Sequence, residues 1–427
     1  MLTRFMVEET VPKHVFAPAT KQEIGQVLCE ARSQKWSLVP YGAGVHQHIG
    51  NRLQRYDAAL SLEKFNQILE YEPQDMVVNV QSGCRLIDLQ ARLAQDHLFL
   101  PIDPCGFEQA TVGGIIATNA SGPLRFAHGT VRDYLLGIGL VQPDGKWTKF
   151  GARVVKNVTG YDMCKLYVGS FGTLGVFTDF FFKLKPYPPS SQTVIVRLKG
   201  IAEARLGAEK LIQSPLTPAA YELLNPEATR ILKERFPLVT DSEHYVFVVR
   251  FMDLEKSVDW QVRCLEEKWK GIFDEGILLN SPQEQETIWR LLREDSLWQE
   301  NPDLHRVKLK VSCGSMPLFD CLQRLEAPGR RPFGVGAIKI HIGCGVIRAY
   351  YQLEGSPESL LSMAKFIQEL RTPLIPSRGT VVLETGPSAL KESVDVWGYD
   401  FKDKFLMQKI RDEFDPQKIL NPGRYVV

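Results

Sequence analysis

The sequence lacks an excess of charge of either sign: 51 Lys and Arg stand against 50 Asp and Glu, a formal net charge of +1. That balance excludes the usual nucleic-acid binder, which needs a cationic surplus to displace counterions from phosphates. Also missing is any run of roughly 18 uninterrupted apolar residues, the length that a membrane-spanning helix requires. Even the apolar window over residues 172–184 contains Asp179 and Lys183, so no direct membrane span is expected. The first ten residues carry Arg4, Glu8 and Glu9 and no apolar h-region, and the expected compartment is therefore the cytoplasm. None of the eight cysteines lies in a CxxC spacing and none of the eight histidines in HExxH. This excludes a locally built zinc knuckle, iron–sulfur loop or zincin helix. His46 and His48, two apart near a glycine-rich turn, are the only close histidine pair, and no metal site is expected.

What is present is a chain of 427 residues, 44% hydrophobic, enough for two or three domains with their own cores. Thr20 and Glu23 form a capping box ahead of Ile24, Val27, Leu28 and Ala31, which predicts an amphipathic helix. Short strands are expected over 36–40, 58–62 and 76–80, and a helix over 85–97 with Leu86, Leu89 and Leu93 inside. Strands and helices in this order read as α+β. Glycine is dense between residues 101 and 189, which points to main chain lying close against a bound molecule, with loops between many short strands as the alternative for part of the run. Pro186, Pro188 and Pro189 mark a boundary. The expected plan is therefore one domain over 1–190, a second over 191–390, and a C-terminal helix and tail over 391–427 that returns to the first.

The second domain has the clearer pattern. Strand 307–312, helix 316–326, strands 337–342 and 346–353, helix 357–370 and strand 380–384 give βαββαβ, the ferredoxin-like order. Residues 193–269 repeat that order less regularly and end in a weakly defined stretch. A last amphipathic helix over 400–414, with Phe401, Phe405, Met407 and Ile410 apolar, precedes the tail.

Three glycine-rich clusters carry the candidate chemistry. In the first, Pro40, Tyr41, Gly42, Ala43, Gly44, Val45 and His46 follow a strand, and their N–H groups can converge on an anion. A plain tight turn is the alternative. The cluster fits neither GxGxxG nor GxxxxGK[ST], which argues against a Rossmann crossover and a P-loop. In the second, Thr111, Gly113, Gly114, Ala117, Thr118, Asn119, Ser121 and Gly122 give a short helix with small polar groups, able to approach a diphosphate and a flat ring. Gly129, Arg132 and Asp133 follow, with Arg132 placed to pair either a phosphate or Asp133. The third runs from Gly169 to Gly175 and enters a strand at Val176.

Together with Lys156-Asn157-Val158-Thr159-Gly160-Tyr161-Asp162, Asp395-Val396-Trp397-Gly398 and Leu420-Asn421-Pro422-Gly423-Arg424, these clusters resemble flavoproteins of the vanillyl-alcohol oxidase superfamily, which carry a PCMH-type FAD-binding domain. Within it the chain more closely resembles the FAD-binding subunits of bacterial glycolate oxidases. The resemblance implies a two-lobed FAD domain with FAD extended between its lobes and a ferredoxin-like α+β cap domain over the isoalloxazine. It places the diphosphate on residues 42–46 and 111–121, adenine near Gly175 and Val176, and Pro104 and Asn421 among the cofactor contacts. It implies non-covalent FAD, with His46, His48, His128 and Cys105 as the alternative, covalent tethers. It further implies a homologous catalytic flavoprotein subunit and an iron–sulfur subunit as partners, oxidation of glycolate to glyoxylate, and contact with the inner membrane only through a partner.

One departure from the pattern bears on mechanism. Related D-2-hydroxyacid dehydrogenases carry His-Ala-Gly-Asp-Gly-Asn-Leu-His, whose two histidines join an acidic residue around a divalent metal. Here the hairpin reads His341-Ile342-Gly343-Cys344-Gly345-Val346-Ile347-Arg348, and the Glu-His-Gly element is replaced by Glu384-Thr385-Gly386. A lone histidine beside an arginine cannot build that metal site. Arg348 can clamp a carboxylate with His341 as base, which makes these two the candidate catalytic residues. The alternative for His341 is a satisfied strand histidine. The economical expectation is a subunit that binds FAD and assists a catalytic partner. The rival is a self-sufficient FAD-dependent dehydrogenase of a small 2-hydroxy acid.

Overall fold

Thr20 caps the helix Lys21–Gln34 by accepting from the Glu23 N–H at 3.2 Å, while the Glu23 carboxylate reaches back to the Ala19 N–H at 2.7 Å. The reciprocal cap thus closes one residue earlier than the sequence pattern suggests. Ile24, Leu28 and Ala31 are buried along its inner face, and Lys35 ends the helix in the left-handed region. The computed structural model describes residues 2–152, 161–239, 243–271, 276–294, 297–298, 301–314, 316–327, 333–399 and 402–426. Residues 156–160 of the resemblance, and Phe401, lie outside the described residues.

The chain divides into two compact units. One comprises Met1–Ser121, Gly129–Tyr187 and Tyr399–Val427; the other comprises Pro188–Gly398 together with the short segment Gly122–His128. The first unit holds a three-stranded parallel sheet, His14–Phe16, Ala58–Ser61 and Leu38–Tyr41 in spatial order, and a five-stranded antiparallel sheet. The middle strand of the latter, Val176–Lys183, is buried along almost its whole length, as an apolar run flanked on both edges and packed on its faces must be. Thr111 caps the short helix Val112–Thr118, which Asn119 terminates with φ +50°.

The C-terminal tail adds itself to the first sheet. Leu38 donates its N–H to Ile419 at 2.7 Å and accepts from the Asn421 N–H at 2.9 Å, with Ile419 and Leu420 fully buried. The preceding helix, Lys404–Phe414, turns Ile410 and Phe414 toward the core and leaves Phe405 more than half exposed. Its inward face is therefore narrower than its apolar composition predicts.

The second unit is built on an eight-stranded antiparallel sheet. In spatial order its strands are Gly276–Leu279, Ser190–Leu198, Tyr245–Asp253, Ala220–Leu224, Ala337–His341, Val346–Leu353, His305–Ser312 and Thr380–Thr385. The second half is a βαββαβ unit, and the first has the same strand arrangement with an extra helix, Pro226–Arg235, between its second and third strands. Each half sets its fourth strand beside its first, and the two halves join where Glu222 pairs with His341. The strand missing from the sequence reading, Gly276–Leu279, sits at the sheet edge and pairs with one neighbour only. A strand with one partner buries little, so its hydrophobic pattern is weak.

Candidate functional site

In the first unit, the strand Leu38–Tyr41 runs into a turn closed by two contacts of Gln47, whose N–H donates to Gly44 O and whose Nε2 donates to Pro40 O, both at 3.1 Å. Gly44 has φ +82°, and a Cβ there would collide with the Tyr41 hydroxyl. Among the described residues, the N–H groups of Ala43, Gly44 and Val45 donate to no protein acceptor. Three successive N–H groups left open in a turn form an anion-binding nest. The turn and the helix Val112–Thr118 line one cavity.

The helix contributes differently from what its sequence suggests. The N–H groups of Val112, Gly113 and Gly114 are already taken by Cys84 O, Ser82 O and Thr111 Oγ1. Its glycines instead allow close approach. A Cβ on Gly113 would lie 2.8 Å from Ser82 O, and one on Gly42 would overlap Thr111 Oγ1. The open N–H donors belong to the turn and the smooth wall to the helix. Tyr41, Gly42, Val45, His46, Thr111, Gly113, Gly114, Ala117, Thr118, Gly175 and Asn421 all line this cavity, as does Pro40.

Sequence reasoning missed Ser82 and Arg424, which line it too. Ser82 is fully buried, and its hydroxyl has no hydrogen-bond partner among the described residues, an orphaned group of the kind a ligand completes. Arg424 is buried, and burial pushes its guanidinium down to about 10, against the opposing charges of Glu8 and Tyr56. Neither signals itself locally, because one sits in a strand-to-turn junction and the other in the irregular tail that follows the last helix. Asn421, in the left-handed region at φ +43°, donates Nδ2 to Phe171 O at 2.8 Å. A nest, a glycine wall, an orphaned hydroxyl and a buried guanidinium fit a dinucleotide with its diphosphate.

Other candidates lie away from this wall. Val176 and Pro104 are buried in the packing, and Asn119 serves as the helix end. Gly129, with φ +79°, and Asp133 make a cap in which the Thr130 N–H donates to Asp133 Oδ2 at 2.7 Å. Arg132 is exposed beside it, Ser121 is half-buried and closes the first unit's segment, and Gly122 opens the segment assigned to the second unit.

In the second unit, His341 is buried between Glu222, whose Oε1 lies 2.5 Å from Nδ1, and Arg348, whose Nη1 donates to Nε2. A guanidinium can only donate, so Nε2 is the acceptor and Nδ1 carries the proton. Burial pushes the ring well below its ordinary range, and Arg348, Lys339, Arg125 and Lys310 push the same way. The structure thus brings the two catalytic candidates together and occupies the histidine's lone pair. Glu384 accepts from Lys308 at 2.8 Å and lies 3.9 Å from Arg348. Burial alone would raise its carboxyl, but Lys308, Arg348 and Lys310 overcome that and hold it ionised.

Comparison with known proteins decides the family. Residues 12–151 match the FAD binding domain, and residues 187–425, more than half of the chain, match the C-terminal domain of FAD linked oxidases. The chain belongs to the FAD-linked oxidases. It is 30% identical over 226 residues to the glycolate oxidase subunit GlcD of Bacillus subtilis, covering 53% of this chain and 48% of that protein. It is 33% identical over 177 residues to the glycolate oxidase subunit GlcE of Escherichia coli, covering 41% of this chain and 49% of that protein. Each match spans about half the relative's length. A solved alkyldihydroxyacetonephosphate synthase superposes with a TM-score of 0.72 at 16% identity, over 97% of this chain and 78% of the other, which shows the shared fold. This FAD-linked oxidase therefore has FAD as its cofactor, and the cavity of the first unit has the groups to hold it.

Proposed function

We propose that this FAD-linked oxidase is the FAD-binding subunit of a complex that oxidises a small 2-hydroxy acid, glycolate, to glyoxylate. A homologous flavoprotein subunit carries out the substrate chemistry, and an iron–sulfur subunit takes the electrons. Bound FAD supplies acceptance of two electrons from the carbon bearing the hydroxyl. This chain's own part is to hold the diphosphate on the N–H groups of Ala43, Gly44 and Val45, with Ser82, Thr111 and Arg424 around it. The observation that carries the assisting role is His341: with Nε2 engaged by Arg348, its ring is not free to accept the hydroxyl proton. On this reading the chain works in the cytoplasm and reaches the inner membrane only through a partner. Among the described residues no helix is long and apolar enough to cross a membrane.

The test is whether the purified chain carries FAD that acid or heat releases, and whether glycolate alone bleaches it. Release of FAD without bleaching, followed by bleaching once the homologous subunit is added, is the expected result. Bleaching by glycolate alone overturns the assisting role and favours a self-sufficient dehydrogenase. The cationic face around Arg348 is the feature that favours this second reading.

A further inference from the structure

Tyr41 ends the strand Leu38–Tyr41 and is buried. Its hydroxyl lies against the backbone of Gly44, the middle of the three residues with open N–H groups, where a Cβ would collide with it. What holds Tyr41 there comes from residues 2–10. The Tyr41 hydroxyl donates to Arg4 O at 3.1 Å, and the Phe5 ring meets the Tyr41 ring edge-on with centroids 5.0 Å apart. Tyr56 fixes the same stretch of backbone by donating to Phe5 O at 2.6 Å. Phe5, Val7, Val39, Tyr41, Tyr56 and Ala59 are buried as a small cluster of their own, separate from the larger cores of the first unit.

The same segment acts on Arg424, the buried guanidinium of the cavity. Val7 and Thr10 exchange N–H···O bonds at 3.0 Å in each direction, and the turn between them presents Glu8, with φ +55°, to Arg52 at 3.6 Å. Burial pushes the Arg424 guanidinium down, and the Glu8 carboxylate opposes that. Residues 2–10 thus back both the turn, through Tyr41, and Arg424, through the charge of Glu8. None of the nine lines the cavity. N–H groups that converge with no acceptor between them repel, so an empty nest keeps its shape only where packing from behind holds it.

We propose that residues 2–10 are a positioning strap for the cofactor, which holds the N–H groups of Ala43, Gly44 and Val45 and the Arg424 guanidinium in place for the diphosphate without touching it. This role rests on the reading of the cavity as the FAD site. Coupling between two binding events is reciprocal: whatever factor the docked strap adds to FAD affinity, bound FAD adds to docking of the strap. Phe5 and Tyr41 are accordingly positioning residues, and their loss acts on binding through the turn.

Fluorescence titration of the full-length apoprotein with FAD, well below its melting temperature, tests the strap in variants that remain folded. Phe5→Ala is expected to weaken FAD by about tenfold and Tyr41→Phe by about fivefold, since preorganisation is lost while every cavity-lining donor remains. Phe5→Leu, which refills the cluster, should bind within about threefold of the parent. Amide hydrogen exchange on the unaltered protein needs no variant to fold: the Val7 and Thr10 amides should exchange at least about fivefold more slowly once FAD saturates the site. A segment that only stabilises the first unit would lower the melting temperature when altered, yet leave FAD affinity and FAD-dependent exchange unmoved. That pattern overturns the proposal, as does failure of Phe5→Leu to recover affinity lost in a folded Phe5→Ala protein. If the parent itself binds no FAD, the reading of the cavity fails, and the strap with it; FAD binding with unchanged exchange at Val7 and Thr10 sinks the strap alone.

Discussion

Replacing Gly42 with alanine tests the cofactor wall most directly. The new Cβ would overlap Thr111 Oγ1 and lie 3.2 Å from Thr111 Cγ2 and 3.3 Å from its Cβ. Thr111 cannot simply rotate away, because its Oγ1 caps the helix by accepting from the Gly114 N–H. Overpacking of this kind costs about 1–3 kcal/mol, and giving up a cap costs about 1 kcal/mol more. The sum, roughly 2–4 kcal/mol, corresponds to one to three decades in an equilibrium constant. Urea unfolding of the apoprotein and fluorescence titration with FAD should both register the loss, since the turn that moves is the one carrying the open N–H groups. The decisive measurement is the double-mutant cycle. Thr111→Ala alone should cost only the cap, about 1 kcal/mol. Combined with Gly42→Ala it should cost little more, because the atoms that clash are gone. Additive losses would refute the packing argument, as would a Gly42→Ala protein with unchanged stability and FAD affinity.

Three further outcomes follow from the same geometry. Ser82→Ala removes a buried hydroxyl without a protein partner; apoprotein stability should hold or rise by up to about 1 kcal/mol while FAD affinity falls several-fold, and titration of apoprotein separates the two. Asn421→Ala should cost about 1–2 kcal/mol, from the lost bond to Phe171 O and the positive φ, whereas Asn421→Gly should recover the backbone share, measured by thermal melting with and without FAD. For pH, the folded-state His341 stays neutral while the unfolded chain protonates near its ordinary pKa. The unfolded state then binds more protons, so stability is complete above about pH 6.5 and falls below it by about 1.4 kcal/mol per pH unit from this residue. In chemical denaturation between pH 5 and 7, His341→Gln should flatten that limb, and an equal slope in both proteins would refute the assignment.

Local signals made much of this FAD-linked oxidase legible. The capping box at Thr20, the heptad-like leucines of 86–93 and the βαββαβ order after residue 305 each follow from a period or a cap that a few neighbouring residues fix. Other features escaped for stated reasons. The edge strand Gly276–Leu279 has one partner and hence little pattern. Phe405 satisfies an apolar period yet faces solvent, because periodicity reports what a helix can bury and not how wide a surface it meets. The small-residue run at 111–122 contributes part of the cavity wall, but which N–H groups remain open depends on acceptors from Ser82 and Cys84, far off in sequence.

The sequence by itself determined the classes of element, the glycines that let two stretches of backbone approach, and the placing of Arg348 seven residues after His341, all of which depend on residue type and short spacing. Only the tertiary structure decided that Ala43, Gly44 and Val45 hold the open donors, that Ser82 and Arg424 complete the cavity, and that Arg348 occupies the lone pair of His341. Hydrogen-bond satisfaction and charge balance are sums over every group within reach, and here those groups come from strands far apart along the chain.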